Sequence, residues 1–548
     1  MSRSRSYYLY LAAISLLILV AFAVRAVSLD AQSLWRDEVD ALRFATVPWS
    51  EMLSTFTRPG WNGPLYFLLL RGWVTLTGTS EYAMRFFSLA FGVLCVPLVY
   101  ALGHRLFNRS VGLIAALLVA SSPYLTWYGQ EVKMYTLVLA LALLAVYAQK
   151  AGLRCVIKGE GWYWWAVHVV ATSLAFYSHI LAALLIPVQM LLYLTWWPQT
   201  RRRWVVALIS LACLTLPYLP LIDWQAPMVL QQRETGFYAY SLGEMAQTLL
   251  NGWSLGILGW GLPWDAVLMG TLAVWGLMGS LFLPSPPSTS PPLRGDGEGE
   301  GKGEGRNRVA LVIWLLTPFL AVWLISLRQP LFTDRYFIWT APAFYLLVAL
   351  GLASLWHFSG LGRRTLSQAI SRVAVVLLTG IILVSNGVNL WQQTTVRIKS
   401  DFRAAAAYVA EYHTSDEPIV LHPLNEEYTF RCYLPLVVTA HPIFDELIVF
   451  QIPHGKYSFD YYFPEDEYPW AEGLYTNHRA PDGSYLMSEQ EAARRMQEMT
   501  AGYDVVWLVA TETTTWDERG LVQAWLEANA QRVDKAQFAR VDVYRYVK

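Results

Sequence analysis

Long apolar runs dominate the first 392 positions, separated by short polar breaks. The first runs from Tyr7 to Val27, long enough to cross about 30 Å of hydrocarbon. A secretory signal is the competing reading, but the run exceeds a typical signal core and no small-x-small cleavage site follows it. Further apolar spans fall at about 82–103, 111–126, 132–149, 161–178, 180–198, 204–222, 262–283, 309–327, 336–356 and 373–392. The pattern therefore predicts about eleven membrane helices.

Charge tests that count. With the N-terminus in the cytoplasm, the inside connections carry Arg105 and Arg109; Lys150, Arg154 and Lys158; Arg201 to Arg203; Arg294, Lys302, Arg306 and Arg308; and Arg363, Arg364 and Arg372. Every predicted inside loop is basic, as the positive-inside rule requires. An odd number of crossings places everything after 392 outside, so the chain is expected to be multi-pass in the plasma (inner) membrane with an extracytoplasmic C-terminal domain.

Two outside segments are too long to be turns. Residues 28–81 hold two amphipathic stretches, about 37–56 and 64–77, separated by the breaker RPGWNGP. The second carries Arg71 among Leu and Trp, which suits a helix lying on the interface. Residues 393–548 mix charge and apolar positions as a soluble domain does. A helical Asp401–Tyr412, strand-like 418–421 and Val505–Val509, a helical Glu518–Ala528 and an alternating Arg540–Val547 predict a small α/β domain. Residues 284–308, rich in Pro and Ser and then in Gly and Glu, are expected to be a disordered cytoplasmic linker. The fold expected is a polytopic α-helical membrane protein, residues 1–392, followed by an extracytoplasmic α/β domain, 393–548.

Composition sharpens the class. Of 548 residues, 55% are hydrophobic and only 15% charged, and mean hydropathy is +0.33. The 25 Trp and 31 Tyr suit a protein with two membrane interfaces to line. With 41 basic and 41 acidic residues there is no basic excess for nucleic acid. The four cysteines are far apart and form no zinc pattern.

Candidate chemistry gathers at the predicted outer face. Asp37 and Glu38 follow the first span in LWRDEVDA. Such a pair can act as general base, metal ligand or both. The structural alternative is an acidic first turn complementing a helix dipole. Local sequence favours that alternative; the position at the start of a long outside loop, beside Trp35, favours chemistry. Gln130, Glu131, Lys133 and Tyr135 occupy a tight outside turn, where they read either as an interfacial girdle or as an anion- or sugar-binding turn. Arg335 and Tyr336 open the tenth span from outside, where a cation runs against the charge bias and invites phosphate. A snorkelling Arg335 paired to Asp334 is the alternative. His179 sits at an outside helix end, where a lone His is more often an interface residue than a catalyst.

In order, LWRDE, NGPLYFLLLRGW, WYGQEVKMYTL, FYSHILAALL and DRYFIWTAPAFYLL resemble the GT-C membrane glycosyltransferases. Within them the chain is similar to the family-thirty-nine type, which includes protein O-mannosyltransferases and lipid A aminoarabinose transferases. The likeness covers about 7–392, and DFRAAAAYVAEY resembles the opening of the outward domain of many bacterial members. It implies a polyprenyl-phosphate-linked sugar as donor, an acceptor that is protein, lipid or glycan, and membrane lipids as surroundings. It maps the catalytic carboxylate to Asp37, with Glu38 as its companion. Members usually have Arg where this chain has Lys133, a point charge rather than a fork. Lys133 and Arg335 are the expected donor-phosphate ligands; Gln130, Glu131, Tyr135, His179 and Tyr336 are the candidate substrate contacts. No cofactor is required by the pattern; a divalent metal held by carboxylates could neutralise the phosphate as well.

Three other classes fit parts of the pattern. A transporter or lipid-linked sugar flippase needs charges near the midplane and often shows paired repeats, and the chain has few of the former and none of the latter. Another GT-C enzyme, such as a polysaccharide polymerase or ligase, shares the motifs. A membrane-anchored binding protein would not need eleven spans.

Overall fold

The computed structural model describes residues 3–56, 63–154, 161–219, 238–258, 263–282, 300–357, 364–412, 446–464, 468–480 and 482–548. They form two units. The first comprises Met1–Leu29 and Ala41–Thr395; the second comprises Val396–Lys548 together with the short segment Asp30–Asp40.

The first unit is helical. Helices α1 (Arg3–Ala26), α2 (Arg36–Thr46), α3 (Trp49–Phe56), α4 (Pro64–Thr77), α5 (Glu81–Leu106), α6 (Arg109–Ser121), α7 (Pro123–Gly129), α8 (Tyr135–Arg154) and α9 (Tyr163–Ser178) follow the chain, α2 opening in the second unit. Among the described residues six helices are long and apolar enough to cross a membrane: Tyr8–Ala26, Glu81–Leu106, Tyr135–Leu153, Gly303–Ser326, Asp334–Trp356 and Ser367–Thr395. Two bent pairs raise the number to eight if each is one span. This makes an integral membrane protein of the polytopic kind expected, although fewer than eleven helices pass on length. The stretches predicted at 180–198 and 204–222 form one pair bent by 86°. Helix α9 has only 16 residues, about 24 Å at 1.5 Å per residue.

The other bent pair shows how sequence makes a break. Pro123 has no N–H to give the Val119 carbonyl one turn earlier, and α6 and α7 meet at 58°. Arg25, fully buried at the end of α1, takes the opened carbonyls. It donates to Val119 O at 3.0 Å, Ala120 O at 3.0 Å and Ala21 O at 3.1 Å. Ser122 caps α7 by accepting from Leu125 N. Close helix contact uses glycine elsewhere: a Cβ on Gly351 would lie 2.2 Å from Leu272 O, so only glycine lets those two helices approach.

The long first loop forms the predicted amphipathic helices, α2 with α3 and then α4. Arg71 on α4 donates to Ala45 O and Val47 O and lies 4.4 Å from the Trp49 ring centroid.

The predicted disordered linker 284–308 needs correction at its far end. Residues 300–308 belong to the helix Glu300–Ser326; 284–299 lie outside the described residues. Two buried polar side chains anchor this helical end. Asn307 donates to Leu106 O and accepts from Trp196 Nε1 at 3.0 Å. Arg308 donates to Gly276 O and to Glu304 at 3.1 Å. Specific partners such as these override a low-complexity composition.

The second unit is α/β. Its strands are β1 (Glu446–Phe450), β2 (Trp470–Glu472), β3 (Val505–Ala510), β4 (Gln531–Phe538) and β5 (Val541–Val547), in the order β2-β1-β3-β5-β4. β1 pairs parallel with β2 and β3, while β5 runs antiparallel to β3 and β4. The central strands are apolar without alternation because both faces are covered. Phe402, Val409, Phe459 and Trp507 pack on one face, and Met496, Val522, Leu526 and Tyr546 on the other. The helix Phe402–Tyr412, β3, the helix Leu521–Asn529 and β5 fall where the pattern places them; the strand predicted at 418–421 is outside the described residues. Cys95 is buried and Cys213 exposed, both free thiols; Cys155 and Cys432 are also outside.

Candidate active site

Asp37 and Glu38 occupy the first turn of α2. Trp35 precedes the helix, so Glu38 is its third residue, the position from which a carboxylate reaches back to cap. Its Oε2 accepts from Trp35 N at 3.4 Å. The same oxygen accepts from Lys399 Nζ at 2.8 Å, the two side chains being 0% and 5% exposed. Asp37 is half-buried beside this pair. Glu38 thus caps the turn that Asp37 shares.

The remaining candidates lie in the first unit. The turn between α7 and α8 is held by Lys133 N donating to Glu131 O at 2.8 Å and by Ser88 Oγ donating to Lys133 O at 3.1 Å. Gln130 spends its side-chain amide on the end of α1, donating to Arg25 O at 2.9 Å and Val27 O at 3.2 Å. Glu131 and Tyr135 are buried, and Lys133 is half-buried.

An aromatic row joins this turn to the 3₁₀ segment Asp334–Thr340. Ring centroids lie 5.0 Å apart for Tyr124 and Tyr128, 5.3 Å for Tyr128 and Tyr135, 6.5 Å for Tyr135 and His179, and 4.8 Å for His179 and Tyr336. Arg335 lies 5.9 Å from the Tyr336 centroid. The Asp334 carboxylate accepts from Tyr128 OH at 2.9 Å and from Thr333 Oγ1 at 3.4 Å, and its carbonyl from Tyr124 OH at 2.8 Å.

His179 reports the electrostatics. It lies between α9 and the 3₁₀ turn Ile180–Leu184. Burial first, and then the positive charges of Arg335 and Lys133, push its imidazole down to about 3. The ring is therefore neutral near pH 7. Its Nδ1 accepts from Leu181 N at 3.2 Å, which puts the remaining proton on Nε2. The two predicted phosphate cations thus act on one imidazole, although they are distant in sequence.

Lys133, Tyr135, His179, Arg335 and Tyr336 therefore share one region of the first unit, while Asp37 and Glu38 belong to the second. Sequence reasoning missed Tyr124 and Tyr128, whose i,i+4 spacing on one helix face was the available signal. It also missed Lys399, one of three cations in VRIKSDFR. Among the described residues no three His, Cys, Asp or Glu side chains are grouped to hold a metal ion.

The fold is that of the GT-C membrane glycosyltransferases. Residues 58–223 match the profile of the dolichyl-phosphate-mannose-protein mannosyltransferase family. Solved structures align over nearly the whole chain. ArnT from Cupriavidus metallidurans in the apo state is 14% identical with a TM-score of 0.56, covering 99% of this chain and 98% of that one. The oligosaccharyltransferase AglB from Archaeoglobus fulgidus, in complex with an inhibitory peptide and a dolichol-phosphate, is 12% identical with a TM-score of 0.56, covering 99% and 74%. ArnT bound to undecaprenyl phosphate also aligns, at 13% identity, a TM-score of 0.51 and coverage of 99% and 98%. None of the curated proteins matches the chain. Family profile and fold together support a GT-C membrane glycosyltransferase, the class the motifs resemble.

Proposed function

We propose that the protein transfers a sugar from a polyprenyl-phosphate-linked donor to an acceptor hydroxyl at the outer face of the membrane, with Asp37 as base. The observation that carries this reading is the row of ring contacts from Tyr135 through His179 to Tyr336, which joins the turn bearing Lys133 to the segment bearing Arg335. Paired cations suit a phosphate headgroup, and aromatic faces suit a sugar ring. Solved structures of similar fold hold undecaprenyl phosphate and dolichol-phosphate.

The reaction assigns each residue a task. The acceptor hydroxyl gives its proton to the Asp37 carboxylate as its oxygen attacks the anomeric carbon. The bond from that carbon to the phosphate oxygen breaks, and the lipid phosphate leaves with the electron pair. Lys133 and Arg335 stabilise the charge that grows on it. Neutral His179 offers its Nε2–H as a donor without adding a third charge.

The transporter alternative would need ionisable groups available within the spans. Arg25 and Arg308 instead donate to main-chain carbonyls, and Lys150 to Gln199 Oε1 at 3.1 Å. The protein is accordingly read as a plasma-membrane enzyme with its N-terminus inside. Purified protein in detergent, incubated with undecaprenyl-phosphate-linked hexoses and pentoses, should release or transfer one labelled sugar. Inertness toward the whole panel, with the protein folded, would count against the reading.

A further inference from the structure

The segment Asp30–Asp40 leaves the helical unit, joins the C-terminal domain, and returns. A ladder of contacts fastens it there. Gln32 donates through Nε2 to Val396 O at 2.7 Å and accepts through Oε1 from Ile398 N at 3.1 Å and Lys399 N at 3.3 Å. Ser33 Oγ accepts from Arg403 N at 3.3 Å, and Arg403 Nη2 donates to Asp30 O at 2.8 Å. Leu34 N donates to Tyr462 OH at 2.7 Å. Beyond these, Lys399 closes on Glu38 at 2.8 Å and lies 5.9 Å from the Trp35 ring centroid.

We infer that Lys399 is a positioning residue for Asp37, and that the C-terminal domain sets the orientation of the base. The inference rests on the reading of Asp37 as base given above. Its logic is local. Glu38 Oε2 takes both the Trp35 N–H and the Lys399 ammonium. Lys399 therefore fixes the carboxylate that caps α2, and the cap fixes the first turn. Asp37 stands in that turn, one residue before Glu38, so its direction follows from the cap. A buried carboxylate deprived of its cation must move toward water or take up a proton. Either change loosens the turn. Glu38 is then the anchor of the acidic pair, and Asp37 its working member.

The test uses the full-length protein in detergent. Turnover is measured as labelled sugar released from the undecaprenyl-phosphate sugar found active in the panel. Rates are divided by the number of molecules that bind undecaprenyl phosphate, so that lost folding does not register as lost turnover. Lys399→Met should lower kcat by roughly 10²-fold, the scale of a displacement near 1 Å, with KM for the donor unchanged. Lys399→Arg keeps the cation and should retain most of kcat. Should Lys399→Met not fold, the double variant Glu38→Ala with Lys399→Met leaves no unpaired charge and removes the capping oxygen as well. It should fold and still show the kcat loss. Wild-type kcat in the folded double variant would overturn the positioning role while leaving Asp37 as base. Wild-type turnover in Asp37→Asn would instead remove the reading beneath it.

Discussion

Tyr128 donates its hydroxyl to Asp334 Oδ2 at 2.9 Å. The bond ties α7 to the 3₁₀ segment that carries Arg335 and Tyr336. Tyr124, one turn earlier, grips the Asp334 carbonyl at 2.8 Å. Two tyrosines on one helix face thus hold the base of the proposed phosphate-binding strip.

Tyr128→Phe removes that donor while keeping the ring. A hydrogen bond to a charged group contributes about 1.5–3 kcal/mol. The variant should unfold at a lower temperature in detergent, and its KM for the donor should rise because Arg335 is less firmly placed. Unchanged melting together with unchanged KM would show that the clamp does neither.

Lys133→Gln and Arg335→Gln should each raise KM for the donor by roughly 10- to 100-fold, the loss of one charge-assisted contact. Lys133→Arg should match or better the native residue, since a fork suits phosphate. Titration with labelled undecaprenyl phosphate checks both. Native affinity in both Gln variants would end the phosphate assignment.

Much of this arrangement was legible in the chain. The apolar runs marked the helices, and the turns between them carried the charged residues later found near His179. The strand Val505–Ala510 declared itself through β-branched, fully apolar residues. β4 did not: QRVDKAQF is an edge strand, exposed and charged, with a register shift between Arg532 and Asp534, and an edge lacks the burial that creates a pattern. The ion pair of Glu38 with Lys399 was hidden for another reason. Its partners are 361 positions apart, and periodicity reports only local neighbours. The helical residues 300–308 were masked by a Gly/Glu repeat, whose order comes from Asn307 and Arg308 finding distant carbonyls.

His179 supplies a dependence on pH. Its imidazole falls from 6.5 to about 3 in the folded protein, through burial first and then Arg335 and Lys133. Below pH 6.5 the unfolded chain therefore takes up a proton that the native state refuses. The stability due to the neutral ring is present above that value and is lost as pH falls toward 3. His179→Gln should flatten the acid side of the melting profile in detergent. Parallel profiles for both proteins would contradict the assignment.

Removing 284–299 should leave expression and turnover intact, because the Pro, Ser, Gly and Glu composition offers a core almost nothing and closing a loop depends weakly on its length. Extending the deletion through 308 removes Asn307 and Arg308 with their bonds to Leu106 O and Gly276 O. That longer deletion should sharply lower the yield of folded protein. Equal yields would show that the anchors are dispensable.

Asp37→Asn is the most direct measurement. The substitution keeps size and hydrogen bonding but removes the proton acceptor, and it leaves the Glu38 cap and its Lys399 partner in place. Release of labelled sugar from the active undecaprenyl-phosphate donor should fall by roughly 10²-fold or more. Undecaprenyl phosphate binding and the melting temperature should stay near native. Had Asp37 served only the helix dipole, the change would cost about 0.3–1 kcal/mol of stability and leave turnover alone. Native turnover in the folded Asn variant would contradict the account.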